Sequence, residues 1–219
     1  MRVLIIGGSG RTGQLVIDVL LQRNHSVTAL VRDPSKMSTK TGLQTVAGTP
    51  TKQEDMRAVF STSRPEVVIV TLSAPRATDS PFAAVVSPPR LMADSVANVV
   101  TITKEFQNPK IVIMQAFGVA ESWANMGCVM QLLMKKSNVI YQYNDHNLVT
   151  EETKKSGENY VFVRPNRLVE GDALKVKEWA NDGKGVPMLG TISRGSVAKF
   201  LVDAAESSTW DRTAPVITN

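Results

Sequence analysis

A doubly wound α/β fold, with helices on both faces of a parallel sheet, is predicted by three observations. Apolar runs of four to six residues recur along the chain: Val3 to Ile6, Val27 to Val31, Val67 to Val70, Ile111 to Met114 and Tyr160 to Val163. Unbroken Val/Ile/Leu runs are what strands covered on both faces require. Helix-period segments separate these runs and supply the right-handed crossovers that parallel strands need. The first run also breaks at once into glycines that open a helix, Gly7-Gly8-Ser9-Gly10-Arg11-Thr12-Gly13.

In chain order, Leu15, Val16, Val19 and Leu20 fall on one side of a first helix that packs on the sheet. A weaker strand is expected at Leu43 to Ala47 and a helix around Lys52 to Phe60. Pro88-Pro89 suits a first helical turn, and Met92, Val96, Val99 and Phe106 would share the face of the helix it starts. Beyond the strand at 111–115 the pattern is less regular. A Met-rich stretch from Trp123 to Met134 precedes a polar helix from about Tyr141 to Ser156. A strand at 174–177, a loop from Asn181 to Gly185 and a helix from Ser193 to about Glu206 follow. The expectation is one domain over residues 1–219, with segments around 117–140 and 166–192 forming a small carboxy-terminal lobe over the strand ends.

Composition narrows the function classes. The 219 residues include one cysteine, Cys128, and two histidines, His25 and His146, so neither a disulfide framework nor a metal site is expected. The net charge of +5 is spread as pairs such as Lys135-Lys136 and Lys154-Lys155, which makes no nucleic-acid stripe. Nucleotide phosphate is the better anionic partner. The first apolar run is too short for a signal peptide, and no segment approaches the ~20 unbroken apolar residues of a membrane helix. A cytoplasmic protein, monomeric or weakly self-associating, with no membrane partner, is expected.

The glycine turn is the most specific motif. Gly7 permits the sharp bend, Gly10 lets a pyrophosphate approach the backbone, and Gly13 lets helix and strand pack closely; Arg11 and Thr12 lie between them. The free amides and positive end of the helix then face the phosphates, as in the Rossmann fold. At the end of the second strand the residues read Arg32-Asp33-Pro34-Ser35-Lys36. An acidic side chain there binds the ribose 2′-hydroxyl of NAD, and a basic one accommodates the 2′-phosphate of NADP. With the basic residue first, Arg32 is the expected 2′-phosphate partner, Arg11 and Lys36 add charge, and Asp33 leaves NAD(H) possible.

The glycine turn, the stretch from His25 to Pro34, Val68 to Ser73, Asp145-His146, Val163-Arg164-Pro165 and Ile192 to Ala198 together resemble the atypical short-chain dehydrogenases. Within them the chain is most similar to the NmrA-like group and to the biliverdin-IXβ reductase, or NADPH flavin reductase, group. The resemblance implies NADP(H) binding and hydride transfer. It also shows departures. The Tyr-x-x-x-Lys proton-transfer pair of the superfamily is missing, since Tyr141 is followed by Asp145 and Tyr143 by Asn147. The serine that follows the fifth strand in the flavin reductase group is replaced by Met114 to Gly118, and a histidine after the sixth by Asn166.

Ligands of open parallel sheets lie beyond the carboxyl ends of the strands. Thr71, Leu72, Ser73 and Arg76 follow the fourth strand, Gln115 to Phe117 the fifth and Pro165 to Arg167 the sixth, so these segments should converge on a nicotinamide. Leu72, Ser73, Gln115 and Pro165 are the expected cofactor contacts there. Ser73 and Gln115 would hydrogen-bond ribose or substrate, or else satisfy loop backbone. His146, Tyr141 and Ser73 are the candidate catalytic groups, a histidine being suited to acid work near neutral pH. Arg76 is placed to hold an anionic substrate or to be solvated. Met126, Met130 and Met134 repeat every four residues, either as a helix stripe closing on the core or as an adaptable lid. In the lid reading Phe117, Trp123, Met126, Met130 and Asn166 line the substrate pocket. Cys128 reads as a buried small hydrophobe.

The leading expectation is an NADPH-dependent reductase of a hydrophobic conjugated or aromatic molecule such as a flavin or quinone. Two alternatives stay open: a non-redox isomerase or cyclase of a natural-product intermediate, and an NADP(H)-sensing regulatory module of the NmrA type.

Overall fold

The computed structural model describes residues 1–107 and 109–219. β1 (Arg2–Ile6), α1 (Arg11–Gln22), β2 (Ser26–Val31) and β3 (Leu43–Ala47) begin the chain, followed by α2 (Gln53–Ser63), β4 (Val67–Val70), α3 (Leu91–Thr103) and β5 (Lys110–Met114). A 3-10 turn at Ala120–Asn125 leads to α4 (Cys128–Lys136), α5 (Val139–Ser156) and β6 (Tyr160–Pro165). β7 (Arg167–Val169), β8 (Lys177–Trp179), β9 (Thr191–Ser193), α6 (Arg194–Glu206) and β10 (Val216–Thr218) complete it.

Eight strands form one sheet in the order β3-β2-β1-β4-β5-β6-β10-β8, parallel except for β8, which runs antiparallel to β10 at the edge. The chain steps outward from β1 to β3 and then restarts at β4 on the other side of β1. The connections on either side of that reversal leave for opposite faces, so a crevice opens beyond the carboxyl ends of β1 and β4.

Alternation along each strand splits the core into two layers. Val3, Ile5, Val27, Ala29, Val67, Ile69 and Val112 pack under α1 and α6, against Val16, Ile17, Leu20, Val197 and Leu201. Leu4, Ile6, Leu30, Val68, Val70, Ile111 and Ile113 pack under α2, α3 and α5. This is the doubly wound Rossmann arrangement read from the apolar runs.

Several element boundaries differ from expectation. The proline pair lies outside α3, which starts after Arg90 in left-handed backbone at φ 59°. The carboxylate of buried Asp145 on α5 accepts from the amides of Met92 and Ala93 at 2.9 Å each, so α3 is capped by a residue some fifty positions away. The expected strand at 174–177 is displaced to Lys177–Trp179, where pairing with β10, a strand of only three residues, fixes it. Cys128 heads α4 exposed, not buried. No helix is long and apolar enough to cross a membrane among the described residues.

Candidate functional site

The loop between β1 and α1 sits at the mouth of the crevice. Gly7 adopts φ +87°, and a Cβ there would lie 2.8 Å from the Thr71 carbonyl carbon, so only glycine lets this loop abut the end of β4. The Thr71 hydroxyl donates to the Gly7 carbonyl at 3.1 Å, and the Gly10 amide donates to the same carbonyl at 3.0 Å, closing the turn. A Cβ on Gly13 would overlap that carbonyl oxygen. Gly10 is the N-cap of α1, no side chain caps the helix, and its first turn holds no acidic residue. The first-turn amides of Arg11, Thr12 and Gly13 therefore face outward without an internal competitor, a donor set that fits a diphosphate.

The outer part of the crevice is a cleft of about 450 Å³ lined by Gly7, Ser9, Gly10, Arg32, Thr71, Leu72 and Ser73. Gly48 to Thr51, after β3, form one wall and Val86 to Pro88 another. Neither wall was read from the sequence, although Gly48 at a strand end, where a Cβ would press on Leu30 at 2.9 Å, was the available signal. Arg32 is exposed on this cleft and forms no ion pair among the described residues. Its acidic neighbour is engaged elsewhere: Asp33 accepts from the amide and hydroxyl of Ser35, at 3.1 and 2.6 Å, which lowers its pKa. Lys36 pairs with Asp33 at 3.7 Å and lines a separate recess beside Met37 and Leu43, so it does not add charge to the cleft as expected.

The inner part, about 200 Å³ over the ends of β5 and β6, shares Gly10, Thr71, Leu72 and Ser73 with the outer part, and the two form one crevice across the strand reversal. Met114, Gln115, Ala116, Gln142, His146, Pro165, Asn166, Leu168 and Arg194 complete it. Arg11 and Thr12 belong here, not with Arg32; Arg11 reaches Asp79 at 3.1 Å and Glu170 at 3.8 Å. Leu72, Ser73, Pro165 and Asn166 are thus brought together, as expected of the segments after the fourth and sixth strands, and His146 of α5 joins them.

Beneath this floor lies a buried polar network. Arg164 on β6 is fully buried, pairs with Glu121 at 3.2 Å and donates to Gln115 Oε1 at 3.1 Å and the Asn181 carbonyl at 3.1 Å. Gln115 Nε2 donates to the Thr150 hydroxyl at 2.8 Å and the His146 carbonyl at 3.2 Å. Both ends of the Gln115 amide are therefore spent inside the fold, and its expected hydrogen bond to ribose or substrate gives way to a strut joining β5, β6 and α5. His146 Nδ1 and Arg164 Nη2 are enclosed with no hydrogen-bond partner among the described residues. Burial, reinforced by the Arg164 cation, lowers the His146 pKa to about 4. The ring is then neutral at pH 7, and the expectation of an acid titrating near neutrality is corrected: it presents a hydrogen-bonding imidazole, not an imidazolium.

Other expected site residues lie away from the crevice. Tyr141 is exposed on α5 and does not line it, because it is turned about the helix axis from His146. Phe117 and Met126, buried to within 7% and 6%, form a satellite core with Val216, against which Trp123, Met130, Met134 and Tyr143 pack. The methionines thus close on this core and form no lid, Met130 and Met134 from α4 and Met126 from just before it, and no described residue of 117–140 lines the crevice. Arg76 donates to the Ser80 carbonyl at 3.2 Å and to Gln142 Oε1 at 3.3 Å, reaching the crevice only through Gln142. The buried cation on the inner wall is instead Arg194, which follows the α6 N-cap Ser193 inside the quoted Ile192 to Ala198 motif.

A family model described as NAD(P)H-binding matches residues 7–208. The chain belongs to this NAD(P)H-binding family. Its cofactor class is accordingly a nicotinamide dinucleotide, which agrees with the glycine cradle and the open helix end. An anaerobilin reductase, ChuY, from Escherichia coli O157:H7 is similar in structure, with TM-score 0.78 and 15% identity over 99% of this chain and 96% of that one. A wide-type short-chain dehydrogenase/reductase from Veillonella parvula, solved in complex with NADP, superposes with TM-score 0.77 and 13% identity over 99% and 94%. These likenesses show the fold. In sequence, a 3-diazoavenalumate denitrifying reductase from a Streptomyces species is 35% identical over 101 residues, which span 46% of this chain and 33% of that relative.

Proposed function

We propose that this protein is an NADPH-dependent reductase of a small conjugated or aromatic molecule. The observation that carries the reading is the crevice across the strand reversal, with a guanidinium, Arg32, that has no ion pair among the described residues at one end and a neutral, buried imidazole, His146, at the other. In this reading the first-turn amides of α1 hold the diphosphate, Arg32 holds the 2′-phosphate with parallel donors, and Leu72 and Pro165 pack on the nicotinamide side. When bound, the nicotinamide supplies hydride. Met114, Ala116, Pro165 and Leu168 give the inner part an apolar floor against which a flat substrate lies. The exposed Ser73 hydroxyl on the lining is placed to hydrogen-bond a substrate oxygen or nitrogen, and the buried His146 ring offers only its lining edge. Without a Tyr-x-x-x-Lys pair, acceptors that need little acid assistance suit the site best, and the likeness to the Streptomyces denitrifying reductase favours redox chemistry.

Nicotinamide absorbance followed with a panel of flavins and quinones tests the reading. NADPH oxidation that depends on both protein and acceptor is expected. Substrate turnover without nicotinamide oxidation would replace it with isomerase chemistry, and nucleotide binding with no turnover would replace it with a sensing role.

A further inference from the structure

The inner wall of the crevice carries a charge arrangement that the reductase reading does not use. Arg194, at 9% exposure, donates from Nη1 to Glu170 Oε1 at 2.9 Å, and Arg11 Nη1 lies 3.8 Å from the same oxygen. Two guanidiniums from the starts of two different helices, both lining the inner crevice with His146 and Asn166, thus converge on one carboxylate. The two sides of the pair are unequal: Arg194 is almost wholly enclosed, whereas the Glu170 side chain is 69% exposed. A buried guanidinium is costly to leave without an anion, while an exposed carboxylate returns to water at little cost.

The backbone around Glu170 is held independently of its side chain. Gly195 donates its amide to the Gly171 carbonyl at 3.2 Å, the Ser193 hydroxyl donates to the Asp172 carbonyl at 2.6 Å, and the Leu174 amide donates to the Ser196 hydroxyl at 2.8 Å. A Cβ on Gly195 would meet Ala173 N at 2.7 Å, so the segment lies flat on the first turn of α6. Releasing Arg194 therefore requires rotation of one side chain and no loop movement.

We infer that Arg194 and Arg11 form the receiving site for a carboxylate on the substrate, and that Glu170 is an internal carboxylate occupying it until substrate binds. The inference rests on the substrate side of the reading above and narrows its class: a conjugated acid whose planar body lies on Met114, Pro165 and Leu168 and whose charged end reaches Arg194. Asp79, 85% exposed and paired with Arg11 at 3.1 Å, competes for Arg11 but does not touch Arg194. Arg194 is therefore the specificity-determining group.

Calorimetric titration of the full chain, saturated with NADP+, with trans-cinnamate and with its methyl ester tests this. The acid should bind at least about tenfold more tightly than the ester, the scale of a charge-assisted guanidinium contact. Arg194→Gln should abolish that preference, and Arg194→Lys should restore part of it. Glu170→Gln should strengthen acid binding about threefold and leave ester binding unchanged, a gain that damage to the fold does not produce. Equal affinities for acid and ester, no binding of the acid, or no gain in Glu170→Gln overturns the inference. So does loss of NADP+ affinity in Arg194→Gln, which reassigns the guanidinium to the cofactor. Failure of the wild type to bind NADP+ at all, measured first, refutes the reductase reading instead.

Discussion

Lowering the pH from 7 to 4.5 should destabilise the protein through His146. The native ring, held near pKa 4 by burial and by Arg164, stays neutral where the unfolded ring, near 6.5, takes up a proton. Between those values the unfolded state binds more protons, so stability is complete above about pH 6.5 and falls as the pH drops toward 4. Each unit is worth at most about 1.4 kcal/mol, and the full shift about 3 kcal/mol. Carboxylates with lowered pKa, such as Glu66 and Glu121, lose their contribution at more acid pH and are common to wild type and variant. Urea denaturation followed by circular dichroism at pH 7, 6, 5 and 4.5, for wild type and His146→Gln, isolates the histidine. The variant is expected to be less pH-sensitive by roughly 1 kcal/mol per unit between pH 6 and 5. Parallel curves for the two proteins across that range would refute the assignment of a neutral, desolvated ring, whatever the absolute stability of the variant.

Two further substitutions separate core from site. Met126→Ala, in the satellite core with Phe117 and Val216, should cost about 2–5 kcal/mol of unfolding free energy while NADPH affinity in the folded protein stays within twofold; a selective loss of substrate binding without loss of stability would restore the lid role. Gly13→Ala places a Cβ against the Gly7 carbonyl, so nucleotide affinity should fall at least about tenfold by fluorescence titration, and an unchanged affinity would mean that the turn does not cradle the diphosphate.

What the sequence disclosed follows from how local each signal is. The strands read correctly because a sheet covered on both faces leaves no polar positions in Val67 to Val70 or Val3 to Ile6. In the glycine turn, Gly7 and Gly13 were legible because contacts within a few residues and with the end of β4 leave no room for a Cβ, whereas at Gly10 a Cβ would meet only the Gly7 carbonyl oxygen, at 3.3 Å. Residues whose role depends on distant partners were not legible. Nothing near Asp145 in sequence signals that its carboxylate caps α3, whose first residues lie some fifty positions away. Gln115 looked like a ligand contact until Arg164, Thr150 and the His146 carbonyl claimed its amide. The periodic methionines fitted lid and stripe equally, and only the placement of Phe117 and Val216 decides between them. Arg76 and Arg194 carry the same charge, and what separates them is that α6 begins at the inner wall while the loop after β4 turns Arg76 toward Ser80.

Arg32 carries the assignment of the 2′-phosphate end of the crevice. NADPH and NADH affinities of the wild type and of Arg32→Glu, measured by fluorescence titration at fixed ionic strength, test it most directly. The wild type should prefer NADPH, and the substitution should weaken NADPH binding by about tenfold to a hundredfold while NADH changes less than about threefold. Equal losses for both nucleotides, or a wild type that binds neither, would contradict it.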